Sequence, residues 1–179
     1  MEIAGFLMEK GIDFQKIIDD SFFAKTYGQA KLHGRAVLDS VRILDNRCVY
    51  TVVTTDELRE YGCTVKATDG IVDQLRIIEG IEIAFLLYQT GNPDEYKVSL
   101  RTNSAVDVSR IAQSFGGGGH VKAAGCTMTG EPQEIVEKIS GRSASSGKSS
   151  SNEHRRKECT TELLTYIKKR IHLPRCVAK

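Results

Sequence analysis

Four consecutive glycines, Gly116 to Gly119, followed at once by His120, stand between a helical pattern and a small-residue strand pattern. No helix propagates through such a run, because each glycine loses more freedom on ordering than any other residue. FGGGGH must therefore be a place where the backbone turns sharply, crosses another backbone closely, or offers bare amides to a ligand. Successive glycine N–H groups can enclose an anion, and a histidine directly after them can donate to a phosphate or ribose oxygen. A surface loop or a tight crossing of two backbones needs no ligand and explains the composition equally well.

The flanking sequence limits the fold around that run. Residues 13–40 carry apolar positions at helical spacing (Phe14, Ile17, Ile18, Phe22, Phe23, Leu32, Val37) and read as two helices, the second capped near Asp20 or Ser21. VRILDNRCVYTVVT reads as a hairpin about Asp45-Asn46, and IEIAFLLYQ with EYKVSLR as a second hairpin about GNPD. Between them DELREYG gives a brief helix, and TDGIVDQLRIIEG a second with Thr68 or Asp69 as cap. VDVSRIAQSF is a short helix, AAGCTM a strand, and PQEIVEKI a last helix opened by proline. The sum is an α/β, mixed α+β, module: a mixed sheet of about five strands with flanking helices, preceded by a helical arm.

Charge divides the chain. Residues 141–179 carry a net +7 and residues 1–140 a net −5, although the whole is only +2. Seven serines fall among residues 140–151, so the folded body is expected to end near Ile139, with a linker and basic tail beyond it, disordered or foreign to the domain. TELLTYIKKRIHL in that tail permits a short amphipathic helix. No apolar run is long enough for a membrane span, and the acidic opening lacks the order of a secretory signal. Five cysteines without a CxxC pair fit a reducing compartment, and the cytoplasm is the expected location.

Arg101 closes the strand pattern YKVSLR, where its planar fork suits a phosphate, although a strand-end arginine also serves as a solvated charge or a carboxylate partner. Taken with FGGGGH it completes a longer pattern. KVSLRTNSAVDVSRIAQSFGGGGHVKAAG, at residues 97–125, resembles the signature of the DHH-associated substrate-binding domain of DHH phosphoesterases. SFFAKTYGQAKLHGRAVL and ATDGIVDQLRIIEGIEIAFLLYQ resemble the same family, in the branch of short-oligonucleotide nucleases that also remove the 3′ phosphate of phosphoadenosine phosphate. The likeness covers residues 10–139.

That resemblance implies that Gly116, Gly117, Gly118, Gly119, His120 and Arg101 hold the nucleotide and its terminal phosphate. It places Thr102 with them as a substrate-binding residue, since Thr102 keeps the hydroxyl found where related chains often read Arg-Ser. It implies partners that are short RNA or DNA oligonucleotides or phosphorylated nucleotides, and a companion domain whose Asp-His-His motif holds two divalent ions, typically manganese. No Asp-His-His occurs among these residues, so no catalytic or metal-ligating residue is assigned and no cofactor is expected on this chain. The chain alone is expected to be inactive, with residues 1–40 as a connector arm, 41–139 as the binding domain and 140–179 as the tail. Association into oligomers is left open. Two other functions compete: a free-standing RNA-binding module like that of alanyl-tRNA synthetases, to which the basic tail would add phosphate affinity, and a fragment of a cyclic-dinucleotide phosphodiesterase.

Other motifs carry less. SSGKSS lacks the first glycine of a phosphate loop at the required spacing, with no strand before it. His154, Cys159, His172 and Cys176 fall near zinc-finger spacing but in an unusual ligand order. Asp69 reads as a helix cap, His33 as a solvated side chain, and Cys63 and Cys126 as buried thiols with no basic neighbour.

Overall fold

The computed structural model describes residues 2–20 and 24–141. Its helices are α1 (Glu2–Glu9), α2 (Phe14–Ile18), α3 (Tyr27–Leu38), α4 (Thr55–Glu60), α5 (Ile71–Arg76), α6 (Val108–Ser114) and α7 (Pro132–Ser140). Its strands are β1 (Val41–Ile43), β2 (Cys48–Val53), β3 (Ile83–Gln89), β4 (Glu95–Thr102), β5 (Gly118–His120) and β6 (Ala123–Thr129). They form one six-stranded sheet in the order β1-β2-β3-β4-β6-β5. Only β2 and β3 run parallel, joined by the crossover through α4 and α5; every other pair is antiparallel.

β3 explains the layering. Its Ile83, Phe85 and Leu87 enter a core with Val98 and Leu100 of β4, Val108 and Ile111 of α6, and Ile135 and Val136 of α7. Its Ala84 and Leu86 enter a second core with Leu32 of α3, Val49 of β2, and Ile71 and Leu75 of α5. A strand covered on both faces must be apolar at every position, and IAFLL is. Tyr50 stacks on Phe85 across the β2–β3 pair with ring centroids 5.3 Å apart. Leu32 and Ala36 belong to the same core as Val49 and Leu86, so packing crosses residue 40.

The mixed sheet with flanking helices matches the sequence reading, with four local differences. The sixth strand is β5, formed by glycines that read as loop. α3 begins later than expected, because Thr26 caps it by accepting from the Gln29 amide. α5 is preceded by Gly70 in the left-handed region (φ +88°), not capped by Thr68 or Asp69; Thr68 closes a tight turn over Val65–Thr68 instead. α1 was not anticipated, and its Phe6 and Met8, like Phe14 and Ile17 of α2, are exposed. The tail beyond residue 141, with its linker, basic helix and His/Cys spacing, lies outside the described residues.

Candidate functional site

The glycine run follows directly from α6. Asp107 caps that helix by accepting from the Ser109 amide, and the Ser109 hydroxyl, with backbone amides, holds the Asp107 carboxyl below its ordinary range. The Val108 amide donates to the Val121 carbonyl, which ties the helix start to the β5–β6 turn. At the other end Gly116 turns with φ +76°. A Cβ on Gly117 would lie 2.2 Å from the Gly125 carbonyl oxygen and 2.5 Å from Cys126 Cβ. A Cβ on Gly119, at φ +143°, would lie 2.6 Å from both the Ala123 oxygen and the Ala124 Cα. These two glycines let β5 press against β6. Gly118 differs: a Cβ there meets nothing within 4 Å, and no positive φ calls for glycine. Close crossing of two backbones, the ligand-free alternative, thus accounts for Gly117 and Gly119, and the turn for Gly116.

Strand register places the other named residues. Arg101 of β4 pairs with Ala123 of β6, and Ala123 pairs with His120 of β5. Residues in one cross-strand row point to one face, so Arg101 and His120 flank the small Ala123, with Cα atoms about 10 Å apart at two strand spacings. The adjacent row is Ser99, Gly125 and Gly118. This half of the sheet lies on the α3/α5 side, yet its Lys97, Thr127 and His120 are exposed and its Arg101, Ser99, Ala123 and Gly118 half-buried. On the opposite face of the same strands, Tyr96, Val98, Leu100, Ala124, Cys126 and Met128 are buried. The sheet therefore presents a shallow floor of Gly, Ala and Ser rimmed by cations. The Thr102 side chain is turned inward, 2% exposed, with its hydroxyl donating to the Glu82 carbonyl at 2.9 Å and 3.0 Å from Ser104 Oγ, although the residue lines the cleft that opens beside Arg101.

At the Arg101 end the floor deepens into a cleft of about 480 Å³, bounded by α5 residues Asp73 and Arg76 and by Arg101, Asn103 and Lys122. One carboxylate oxygen, Asp73 Oδ1, lies 3.3 Å from Arg76 Nε and 3.5 Å from Arg101 Nε. Arg76 Nη1 donates to Asn103 Oδ1 at 2.8 Å, and Asn103 Nδ2 donates back to the Arg76 carbonyl at 2.6 Å. Lys122 Nζ donates to the Ser104 carbonyl. Two guanidinium groups share one carboxylate and Lys122 adds a third cation to the lining, so the cleft favours anions. The ion pairs are 30–46% exposed and each contributes only ~0.2–1 kcal/mol. Sequence reasoning missed Asp73, Arg76 and Lys122. The i, i+3 spacing of Asp73 and Arg76 was the available signal, but it reads equally as a solvated helix pair.

His33 is not solvated. It is 3% exposed, with Nε2 2.9 Å from the Ala67 carbonyl and Nδ1 3.1 Å from Lys25 Nζ. A carbonyl only accepts, so Nε2 carries the proton and Nδ1 accepts from the ammonium; burial above all holds the imidazole pKa below its ordinary value. The ring thereby ties α3 to the Val65–Thr68 turn before α5. Cys126 is buried as expected, its thiol pushed up to about 11, whereas Cys63 is only half-buried. Among the described residues no three His, Cys, Asp or Glu side chains converge to hold a metal, and no helix is long and apolar enough to cross a membrane.

Similarity to known proteins agrees with this architecture. The chain is 34% identical over 79 residues to the bifunctional oligoribonuclease and PAP phosphatase NrnA of Thermus thermophilus, a match covering 44% of this chain and 24% of that protein. It is 55% identical over 40 residues to oligoribonuclease NrnB of Bacillus subtilis, covering 22% of this chain and 10% of that one. The solved structure of an exopolyphosphatase-related protein from Bacteroides fragilis shares the fold with a TM-score of 0.72 at 20% identity, over 93% of this chain and 44% of that chain. The matches span at most a quarter of the two curated relatives and under half of the solved chain. The model of the DHHA1 domain matches residues 45–145, which takes in the sheet from β2 onward, the glycine run and Arg101, and the chain belongs to that family.

Proposed function

We propose that this chain is the substrate-holding half of a DHH-type phosphoesterase acting on short oligonucleotides, or on a nucleotide carrying a 3′ phosphate. The observation that supports this most is the Arg101–Ala123–His120 row, which ends on the edge strand β5 of the described sheet. Arg101 offers a planar donor fork to a phosphate, anchored through Nη1 on the Leu100 carbonyl at 3.1 Å. His120 is exposed, and its ring makes no hydrogen bond within the described residues, so its N–H is available to the same phosphate or to a ribose hydroxyl. Gly118 keeps the approach to β5 open, and β5 is an edge strand of the sheet that the described residues form. The names of the similar NrnA and NrnB proteins point to the same substrate class.

In this reading residues 41–139, with α3 docked on them, bind and orient the substrate; residues 1–40 lead toward a separate Asp-His-His domain, and the setting is the cytoplasm. Two divalent ions on that domain, typically manganese, would supply an activated water. Among the described residues no His, Cys, Asp or Glu cluster fits such a pair, and in this reading the chain's own part is holding the phosphate and excluding misaligned poses. The test is calorimetric titration of the chain with a 5′-phosphorylated dinucleotide. Arg101→Ala should weaken binding by about 1.5–3 kcal/mol, roughly 10- to 100-fold, with Arg101→Lys rescuing only part. Equal affinity in the wild type and the alanine variant would return Arg101 to the role of an Asp73 partner.

A further inference from the structure

We infer that Lys97, with Tyr88 and Thr127 beside it, sets the length of strand this face prefers, by holding the chain one or two nucleotides beyond the phosphate on Arg101. This deepens the reading above and rests on it. Lys97 lies four residues before Arg101 on β4 and points to the same face, about 13 Å away at the rise of a strand. Register puts Tyr88 of β3 on one side of it and Thr127 of β6 on the other. This row runs parallel to the Arg101–Ala123–His120 row, and Ser99, Gly125 and Gly118 lie between the two.

A lysine on an edge strand keeps stray strands away, but β4 is an interior strand with β3 and β6 on either side. Opposite charges facing each other across strands stabilise a solvated sheet face, yet the neighbours of Lys97 are two hydroxyl side chains. The only carboxylate on this face of β4 and β6 is Glu95, at the far end, where the Thr90 hydroxyl donates to it at 2.6 Å. Among the described residues Lys97 makes no ion pair or hydrogen bond, and the Tyr88 and Thr127 hydroxyls have no partner. Burial first, then the Asp69 carboxylate, raises the Tyr88 pKa, so that hydroxyl stays a donor. One row thus brings together an ammonium and two hydroxyls with their donors unused. Arg101 is fixed by Asp73 and the Leu100 carbonyl, whereas Lys97 is a flexible point charge suited to a phosphate whose position varies with the strand. The low relief of Ser99 and Gly125 lets the sugar–phosphate chain run along β4 from one row to the other. A mononucleotide held on Arg101 ends short of Lys97; a longer strand reaches it.

The experiment titrates the full chain by calorimetry with 5′-phosphorylated uridylates of one, two and three nucleotides, using the wild type and the variants Lys97→Ala, Lys97→Arg, Tyr88→Phe and Arg101→Ala. Wild-type affinity should step up by about tenfold between one and three nucleotides. Lys97→Ala should remove most of that step while leaving the mononucleotide within about twofold, and should reduce the salt slope for the trinucleotide by about 0.7, the share of one phosphate on a single strand. Lys97→Arg should keep the step, and Tyr88→Phe should lose part of it. A wild type that binds all three lengths alike would refute the inference, as would an undiminished step in Lys97→Ala. Equal weakening of every length by Lys97→Ala would also overturn it, reducing Lys97 to a contributor to the general field. Lys97 is exposed, so its variants keep the fold. Arg101→Ala separates the two levels: if it leaves every affinity unchanged, the underlying reading fails. If it weakens every length while Lys97→Ala does nothing, only the length determinant fails.

Discussion

Alanine placed in turn at Gly117, Gly118 and Gly119 should give three different outcomes. At Gly117 the new methyl lands 2.2 Å from a backbone oxygen and 2.5 Å from Cys126 Cβ, and neither atom belongs to a flexible side-chain end. Relief requires β5 to move off β6, which breaks the Gly118–Gly125 and His120–Ala123 pairings; overpacking of this kind costs roughly 1–3 kcal/mol. Gly119→Ala meets backbone at 2.6 Å and must also hold φ near +143°, which adds strain of order 1–3 kcal/mol. Gly118→Ala meets nothing, and restricting the unfolded chain makes it neutral or stabilising by about 0.4–1 kcal/mol. Urea unfolding of the three variants reads these values directly. In binding the order reverses for Gly118: valine there leaves the fold intact but puts its branched side chain on the open face beside Ser99 and Gly125, and should abolish nucleotide binding. Equal destabilisation at all three positions would refute the close-crossing account of the run. A Gly118→Val protein that binds normally would move the ligand off this face.

Four further outcomes follow from the same structure. Because burial depresses the His33 pKa in the fold, the unfolded chain binds more protons there. Stability should therefore be full above pH ~6.5 and decline as pH falls from that value toward the lower folded pKa, and His33→Gln should remove this slope in melting curves taken across the range. Phe85→Ala, emptying a core position that is 1% exposed and stacked on Tyr50, should cost about 3–5 kcal/mol in the same urea assay; a cost under ~1 kcal/mol would contradict the packing. The isolated chain should release no mononucleotide from a dinucleotide in excess manganese; turnover near ~1 s⁻¹ by pure protein would show that it carries its own metal centre. Deleting residues 141–179, which removes a net +7, should flatten the salt dependence of binding to long RNA yet leave mononucleotide affinity within about twofold. Loss of mononucleotide binding on deletion would put the site in the tail.

What the sequence revealed, and what it hid, follows physical lines. β3 was legible because burial on both faces leaves a continuous apolar run, and α7 because proline opens it; its end was not, since Ser140 and Gly141 read as linker while Ser140 closes the helix and Gly141 caps it in the left-handed region. β5 was not, since a Gly-Gly-His strand has no local β preference and exists only through pairing with β6. His33 read as solvated because its sequence neighbours are polar; what buries it is the turn at Ala67, 34 residues away. Thr54 and Glu57 form a reciprocal capping box at α4, a signal the sequence carried openly. In the site, Arg101 and the glycine-histidine run were legible as a pattern, but the link from Asp73 to Arg101 joins separate elements and appears only once α5 packs against β4. The four glycines also proved unequal in role, which composition alone cannot express.

The central claim, that ligand phosphate sits on the β4–β6–β5 face, is tested most directly by following backbone and arginine side-chain N–H resonances while titrating the full chain with a 5′-phosphorylated dinucleotide. Saturating shifts should concentrate at Gly118, Gly119 and His120 of β5, at Ala123 of β6 and at the Arg101 Nε–H. Amides of the buried face, such as Val98 and Leu100, together with the exposed α1, should stay in place. Shifts confined to residues 141–179, or spread over α6 and α7 with the Arg101 Nε–H unmoved, would contradict it.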